Sequence, residues 1–317
     1  MLAELKFVAG SVAKKDFIPA LKHFVIEDGK VRGYNGTLAL CTPIPFDLSC
    51  KPKGEPLIKA IANCTETVQL ALTKGGRLSI KSGKFKAFID CIEGETPHVL
   101  PEGDNILVEG SALLQAFKIM EPFVGTDASR SWGMGVFMRG QSLYATNNVT
   151  VVEYWTGIEA PKPINIPRDA IREMLRINEP PVSMQMTDNS VTFHYSGERW
   201  LRTQLLSTTW PDLSPILDKE SSPINLDPKV FEALATIKPF MDGIGRVYFK
   251  DGNIRTHLDE NEGASYDVEN FPFIGIYTSE NLMNLKDSVK TIDWSTYPKP
   301  CLFFGERLRG ALVGMSS

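Results

Sequence analysis

The stretch from Ile164 to Leu217, INIPRDAIREMLRINEPPVSMQMTDNSVTFHYSGERWLRTQLLSTTWPDLSPIL, decides the fold. Its first part reads as an amphipathic helix. Arg168, Arg172 and Arg176 recur every four residues as one cationic stripe, and Ala170, Met174 and Ile177 fall opposite, with Ile171 at the flank. Two short alternating strands joined by tight turns follow, then a further strand and a proline-bounded tail. An earlier stretch, Pro56 to Pro101, repeats this plan, with a short helix beginning at Pro56 and the hairpin RLSIKSGKFKAFIDCIE turning at Ser82-Gly83. Gly83 precedes Pro97 by 14 residues, and Gly197 precedes Pro211 by the same 14. Self-similarity of this kind predicts a chain built from similar modules.

Outward from these copies, Leu5 to Gly10 reads as a strand and Ser11 to Leu21 as a weak helix that Pro19 breaks. HFVIEDGKVRGYNGTLALCTPI alternates apolar and polar residues around Asp28-Gly29 and Asn35-Gly36, both strong hairpin signals. After a linker at Pro101–Asp104 come a strand at 105–108 and a helix capped by Ser111 that runs to Pro122. Two strands around Arg139-Gly140-Gln141 follow, with another beyond Asn147-Asn148. A second linker, Asp218 to Pro223, leads to a strand at 224–226 and a helix with Asp227 as cap and Pro228 at its first position. A hairpin at Asp251-Gly252, a helix from Ser279 to about Ser288 and a terminal hairpin complete the chain. The expected class is α+β, in three modules of roughly a hundred residues, 1–103, 104–220 and 221–317.

The 317 residues are 43% hydrophobic and carry a net charge of −4, so a protein basic over its whole surface is excluded while local basic clusters are not. No run approaches the roughly 18 to 20 apolar residues of a membrane span, and the N-terminus lacks a secretory apolar core. Cys41, Cys50, Cys64, Cys91 and Cys301 form no CxxC pair, which predicts reduced thiols in a cytoplasmic protein and no zinc site. No P-loop, GxSxG, HExxH or dinucleotide fingerprint occurs, and Gly133-Met134-Gly135 lacks the strand-to-helix context of a phosphate loop. His257 beside Asp259, Glu260 and Glu262 reads as a solvated acidic loop rather than a metal site. The expectation is therefore a binding protein without a cofactor and not an enzyme.

Four segments, SWGMGVFM (131–138), LYATNNVTVVEYW (143–155), INIPRDAIREML (164–175) and WPDLSPIL (210–217), carry a resemblance in their order and spacing. The chain is similar to the DNA sliding clamps of the bacterial DNA polymerase III beta-subunit type, in a short, phage-encoded version. That family usually has Ala-Thr-Asp where Ala145-Thr146-Asn147 stands, and Phe-Pro-Asp where Trp210-Pro211-Asp212 stands. The resemblance implies three clamp modules per chain, with helices lining a hole and antiparallel sheets outside. Two chains would close head to tail as a homodimer ring around double-stranded DNA, bound without regard to sequence. The ring would tether a DNA polymerase, be opened by a clamp loader, act in the cytoplasm beside the nucleoid and have no membrane association. The rival readings are a clamp-fold scaffold that does not encircle DNA and, behind it, a DNA-modifying enzyme.

Under this resemblance the lining cations are Lys14, Lys15, Lys22, Lys59, Lys118, Arg168, Arg172, Arg176, Lys229, Lys238, Lys286 and Lys290. Phosphate contacts of this kind position a duplex without specifying its sequence. The resemblance also implies an apolar pocket for partner peptides between the second and third modules. Thr146, Asn148 and Val151 would form one wall beside Pro211 and Ile216, with Ala311, Val313 and Met315 from the C-terminal strand. Gly133 stands where a larger apolar residue is usual, so a wider pocket is expected. Edge strands near Lys84–Ile92 and Val268–Ile276 would pair across subunits.

Overall fold

The computed structural model describes residues 1–15 and 18–316. In chain order the elements are α1 (Leu2–Phe7), β1 (Val25–Glu27), β2 (Lys30–Tyr34), β3 (Leu38–Pro43), α2 (Gly54–Ala62), β4 (Gln69–Leu72), β5 (Leu78–Ser82), β6 (Phe85–Ile89), β7 (Asp104–Leu107) and α3 (Gly110–Met120). Then come β8 (Gly135–Thr146), β9 (Thr150–Pro167), α4 (Arg168–Ile177), β10 (Ser183–Met186), β11 (Ser190–Tyr195), β12 (Arg199–Gln204) and α5 (Ser214–Leu217). The last part holds β13 (Ile224–Asn225), α6 (Pro228–Ile237), β14 (Arg246–Lys250), β15 (Asn253–Arg255), β16 (Ser265–Asp267), β17 (Gly275–Thr278), α7 (Ser279–Met283), β18 (Thr291–Ile292), β19 (Cys301–Phe304) and β20 (Leu308–Leu312). One pattern recurs three times, a helix followed by a three-strand antiparallel meander: α2 with β4–β6, α4 with β10–β12, and α7 with β18–β20.

The chain divides into two compact units, the first made of Met1–Leu114 and Asp169–Leu205. Its seven-stranded sheet has the order β1-β2-β3-β12-β11-β10-β7, every pair antiparallel. The β12–β3 pairing, from Trp200 opposite Cys41 to Thr203 opposite Leu38, joins strands far apart in sequence. Within this unit Ala170, Ile171 and Met174 of α4 are fully buried, the face that the arginine spacing left apolar. A smaller sheet, β4-β5-β6, lies beside α2, whose Leu57, Ala60 and Ile61 are buried. The hairpin turn at Gly83 is left-handed (φ 55°), as the turn chemistry requires.

The second unit comprises Gln115–Arg168 and the described residues from Leu206 onward. Its six-stranded sheet has the order β13-β18-β19-β20-β9-β8, and a four-stranded sheet the order β16-β15-β14-β17. Val230, Phe231, Leu234 and Ile237 of α6 are buried, and Asp227 accepts a hydrogen bond from the Lys229 amide at 2.9 Å as the expected cap. Phe249 is the centre of an aromatic core, with ring centroids 5.1 Å from Phe271, 5.1 Å from Tyr277 and 5.3 Å from Trp294.

Several local expectations change. Leu5–Gly10 is not a strand: α1 and a short 3-10 turn at Val8–Ser11 occupy it, because Leu5 and Val8, three apart, bury one helical face. The expected helix over Ser11–Leu21 is replaced by a 3-10 turn at Pro19–Lys22, and residues 16–17 of that span lie outside the described residues. Ser11 instead donates from Oγ to the Val8 carbonyl at 2.6 Å. Arg139-Gly140-Gln141 does not end a strand. β8 runs straight through it with a bulge, Gly140 taking φ 56°, and the turn falls at Asn147-Asn148, with Asn148 at φ 73°. Ser111 lies inside α3, and the Glu109 carboxylate accepts from the Ala112 amide at 2.7 Å in its place. α7 stops at Met283, well short of Ser288.

Candidate functional site

The β9–β20 pairing sets Val151 opposite Ala311 and so brings together segments that the sequence holds 160 residues apart. Val151, Ala311, Trp210, Leu213, Leu217 and Leu302 form one apolar cluster in the second unit, against which Trp132, Phe137, Tyr144, Ile216 and Phe304 pack. Five of the expected pocket residues are placed by this pairing and its flanks. Val151 and Ala311 are buried and Ile216 half-buried, while Pro211 and Val313 are exposed, Val313 at 41%. Val313 and Met315 follow β20 without extending it. The Val313 amide donates to the Val149 carbonyl at 2.9 Å, the Met315 amide to the Ile276 carbonyl at 2.7 Å, and Tyr297 donates from its hydroxyl to the Met315 carbonyl at 2.8 Å.

Thr146 and Asn148 shape the adjoining turn. Thr146 donates from its hydroxyl to the Thr150 carbonyl at 2.8 Å and accepts from the Asn148 amide at 3.0 Å. Asn147 donates to the Asn281 side chain at 2.8 Å, tying the turn to α7. Gly133 is buried where Gly125 donates to both the Gly133 and Thr146 carbonyls, and a Cβ on Gly133 would lie 3.2 Å from the Thr146 oxygen. The close backbone approach, more than pocket width, accounts for glycine there.

An aromatic wall that the sequence pattern does not announce completes the cluster. Trp210 stacks on Phe137, with centroids 5.2 Å apart and planes 9° from parallel, and meets Trp132 edge-on at 5.2 Å. The Arg139 guanidinium sits over Tyr144 at 5.3 Å. Phe137 and Tyr144, an odd number of positions apart, share one face of β8 because of the register shifts between Met138 and Ser142.

Beside the cluster, Glu153 accepts from Tyr144 at 2.8 Å and from Arg309 Nε at 2.6 Å, and Arg309 also donates to Asp218 at 2.8 Å. Burial alone would raise the Glu153 carboxyl, but hydrogen bonds from Arg309, Tyr144 and Ser142 outweigh it and hold it below its ordinary value near 4.5. A carboxyl whose folded value is depressed contributes stability that is present above the unfolded value and lost as pH falls through the folded one. Urea midpoints of the wild type are therefore expected to fall as pH drops below about 4.5, and Arg309→Ala to flatten that fall. An unchanged pH profile in Arg309→Ala would remove Glu153 from this role.

The predicted cations are differently employed. Lys118, Arg172, Lys229, Lys238 and Lys59 lie on or next to helices with exposed side chains. Lys59 pairs with Glu55 at 2.6 Å and Lys229 with Glu269 at 3.4 Å, while Arg168 is only 18% exposed and pairs with Glu121 at 2.9 Å. Arg176 is committed within the first unit: Nε and an Nη grip Glu173 at 2.8 and 2.6 Å, and the Nη also reaches the Phe7 carbonyl at 2.8 Å. Lys14 and Lys15 precede the undescribed residues, Lys22 closes the Pro19–Lys22 turn, and Lys286 and Lys290 lie beyond the end of α7. Among the described residues no three His, Cys, Asp or Glu side chains group as they would around a metal ion, and His257 Nδ1 bonds Thr256 Oγ1 at 2.9 Å.

No family model matches the chain, and no curated protein matches it in sequence. Solved structures do match. The DNA polymerase sliding clamp of Bacillus subtilis is 14% identical, with a TM-score of 0.84 over 100% of this chain and 97% of that one. The Bartonella birtlesii sliding clamp bound to griselimycin is 15% identical, with a TM-score of 0.83 over the same shares. The Helicobacter pylori beta clamp bound to a DNA ligase peptide is 16% identical, with a TM-score of 0.78 over 99% and 97%. The fold is thus that of the DNA sliding clamps. Within that class it is the architecture of the DNA polymerase III beta subunit, followed over the whole chain.

Proposed function

We propose that this protein is a DNA sliding clamp, a processivity factor that encircles duplex DNA and tethers a DNA polymerase. The observation that carries the reading is the fold shared with beta clamps over 99–100% of the chain, with its helix-and-meander pattern occurring three times. In this reading residues 1–103, 104–220 and 221–317 are three clamp modules, and six modules from two chains close one ring. In this proposal the exposed basic side chains on and near the helices, such as Lys118, Arg172 and Lys238, face the DNA and screen its phosphates without reading bases. The ring does no chemistry of its own; it works in the cytoplasm, where a clamp loader opens it.

The apolar cluster around Val151, Trp210, Ile216 and Ala311 is the seat of partner peptides in this proposal. An extended peptide would lie along it, its apolar side chains in the cluster and Arg139 at the rim. The Helicobacter pylori clamp with its ligase peptide supports a docking role of this type.

Ring closure needs open sheet edges, and each unit has them. β6 is an edge that exposes Phe88 (50%) beneath the Lys86 ammonium at 4.8 Å. The expected edge span Val268–Ile276 is not a strand over 268–274; in the four-stranded sheet the Met315 amide already bonds the Ile276 carbonyl on β17, which leaves β16 as the edge for a second chain. Phe240 and Ile244, 57% and 60% exposed after α6, offer apolar surface for the same contact. Sedimentation velocity is expected to give twice the 35.2 kDa of one chain at micromolar concentration. A persistent monomer would favour the scaffold reading.

A further inference from the structure

In the first unit a cavity of about 600 Å³ opens between the Val8–Ser11 turn, the Pro19–Lys22 turn and the start of α2. Its rim carries Lys14, Lys22, Lys53 and Lys59. Among the described lining residues Glu55 is the one carboxylate, and it pairs with Lys59 at 2.6 Å. The Lys59 ammonium holds the Glu55 carboxyl below its usual range, with Lys14 and Lys53 adding to the effect, so these cations share one field. The floor is apolar, built from Ala9, Val12, Ala13 and Ile58. Gly54 permits this floor, since a Cβ there would lie 2.7 Å from Val12 and 3.2 Å from Phe24.

Two features of the cavity select its ligand. Several lysines around one carboxylate attract a group of more than one negative charge, and lysine serves phosphate as a point charge. The apolar floor has no use for a bare phosphate, and a volume within the usual 300–1,000 Å³ of small-molecule sites suits a flat, weakly polar body attached to it. A nucleoside phosphate has both parts. A duplex keeps its bases stacked inside and cannot lay one in a cavity, whereas an unpaired nucleotide can.

We propose that this cavity is a nucleoside-phosphate site that takes an unpaired nucleotide of single-stranded DNA, with phosphate among Lys14, Lys22, Lys53 and Lys59 and base against Val12 and Ile58. The site deepens the clamp reading and rests on it only for the source of the nucleotide. A strand leaving the duplex at a primer end would be held there, in contrast to the loose contacts that let the ring slide.

The test uses full-length protein and fluorescein-labelled oligodeoxythymidylate of ten nucleotides, followed by fluorescence anisotropy at low salt, with a ten-base-pair duplex and free dTTP as further arms. Lys22→Gln/Lys53→Gln is expected to weaken strand binding roughly tenfold and to reduce the slope of log affinity against log salt by about 1.4, two single-strand phosphate contacts. Lys22→Arg/Lys53→Arg should retain the binding, and Ile58→Ala should weaken the strand while sparing the duplex. Circular dichroism of each variant confirms folding. Competition by dTTP as effective as by the strand assigns the site to free nucleotides and keeps its chemistry. Unchanged affinity and slope in the glutamine variant, or equal losses for strand and duplex, overturn the site. Retention of the wild-type protein on circular duplex, measured in parallel, separates this failure from failure of the clamp reading.

Discussion

Replacing Arg176 with alanine is expected to destabilise the first unit by about 3 kcal/mol. The reason lies in Glu173, 7% exposed, whose carboxylate takes both of its strong hydrogen bonds from the Arg176 guanidinium. Breaking a buried pair from one side leaves a buried charge without its partner, at about 3–5 kcal/mol. The lower end applies because Arg176 is itself 41% exposed, so water can partly replace it. The carboxylate has no room to turn away, since it fills the place of a Gly10 side chain, with Oε1 2.0 Å from where a Cβ would stand. The second substitution Glu173→Gln should recover much of the loss, because a neutral amide tolerates burial better than an orphaned charge. Urea denaturation followed by the Trp200 signal checks both. Equal stability of Arg176→Ala and wild type would show that the pair does no structural work and would leave Arg176 only its proposed DNA contact.

Trp210→Ala is the second large effect, expected to cost the second unit about 3–5 kcal/mol in the range for deleting a buried aromatic ring. Trp210 stacks on Phe137 and meets Trp132 edge-on within the apolar cluster, so under the proposed function the truncation would also abolish peptide binding. Trp210→Phe should behave differently. The indole Nε1 is buried with no hydrogen-bond partner, so phenylalanine discards an unsatisfied donor while keeping a ring on Phe137. The expected cost is about 1–2 kcal/mol, less than for alanine because one ring stays in place and only a small cavity is left. Denaturant midpoints read by Trp132 and Trp294 fluorescence distinguish the two. A phenylalanine variant as damaged as the alanine one would mean that the indole N–H holds the wall together.

The sequence made the repeated helix and meander legible because two period signals agreed there. Arginines at 168, 172 and 176 marked one helix face, and the Gly197 and Gly83 turns marked two hairpins. The apolar cluster proposed to seat partner peptides is legible in the sequence only as a list of matched positions. Pairing of β9 with β20 is a long-range choice among strands of similar composition, and nothing local at Val151 announces Ala311 as its neighbour. Local reading failed where tertiary burial overrode it. Leu5–Gly10 has a strand-like pattern, but Leu5 and Val8 bury one helical face; Gly140 has turn chemistry, but its positive φ serves a bulge. The arginine spacing marks the face of α4 but not its partners, because Glu121 and Glu173, which pair with Arg168 and Arg176, lie outside the arginine pattern.

The central claim is topological, and retention on closed and open DNA tests it most directly. Protein loaded onto nicked circular duplex should stay bound through a high-salt wash that strips electrostatic contacts, and should leave when one cut makes the circle linear. That result is the one expected of a ring. Release from circular and linear DNA at the same rate under that wash would contradict it.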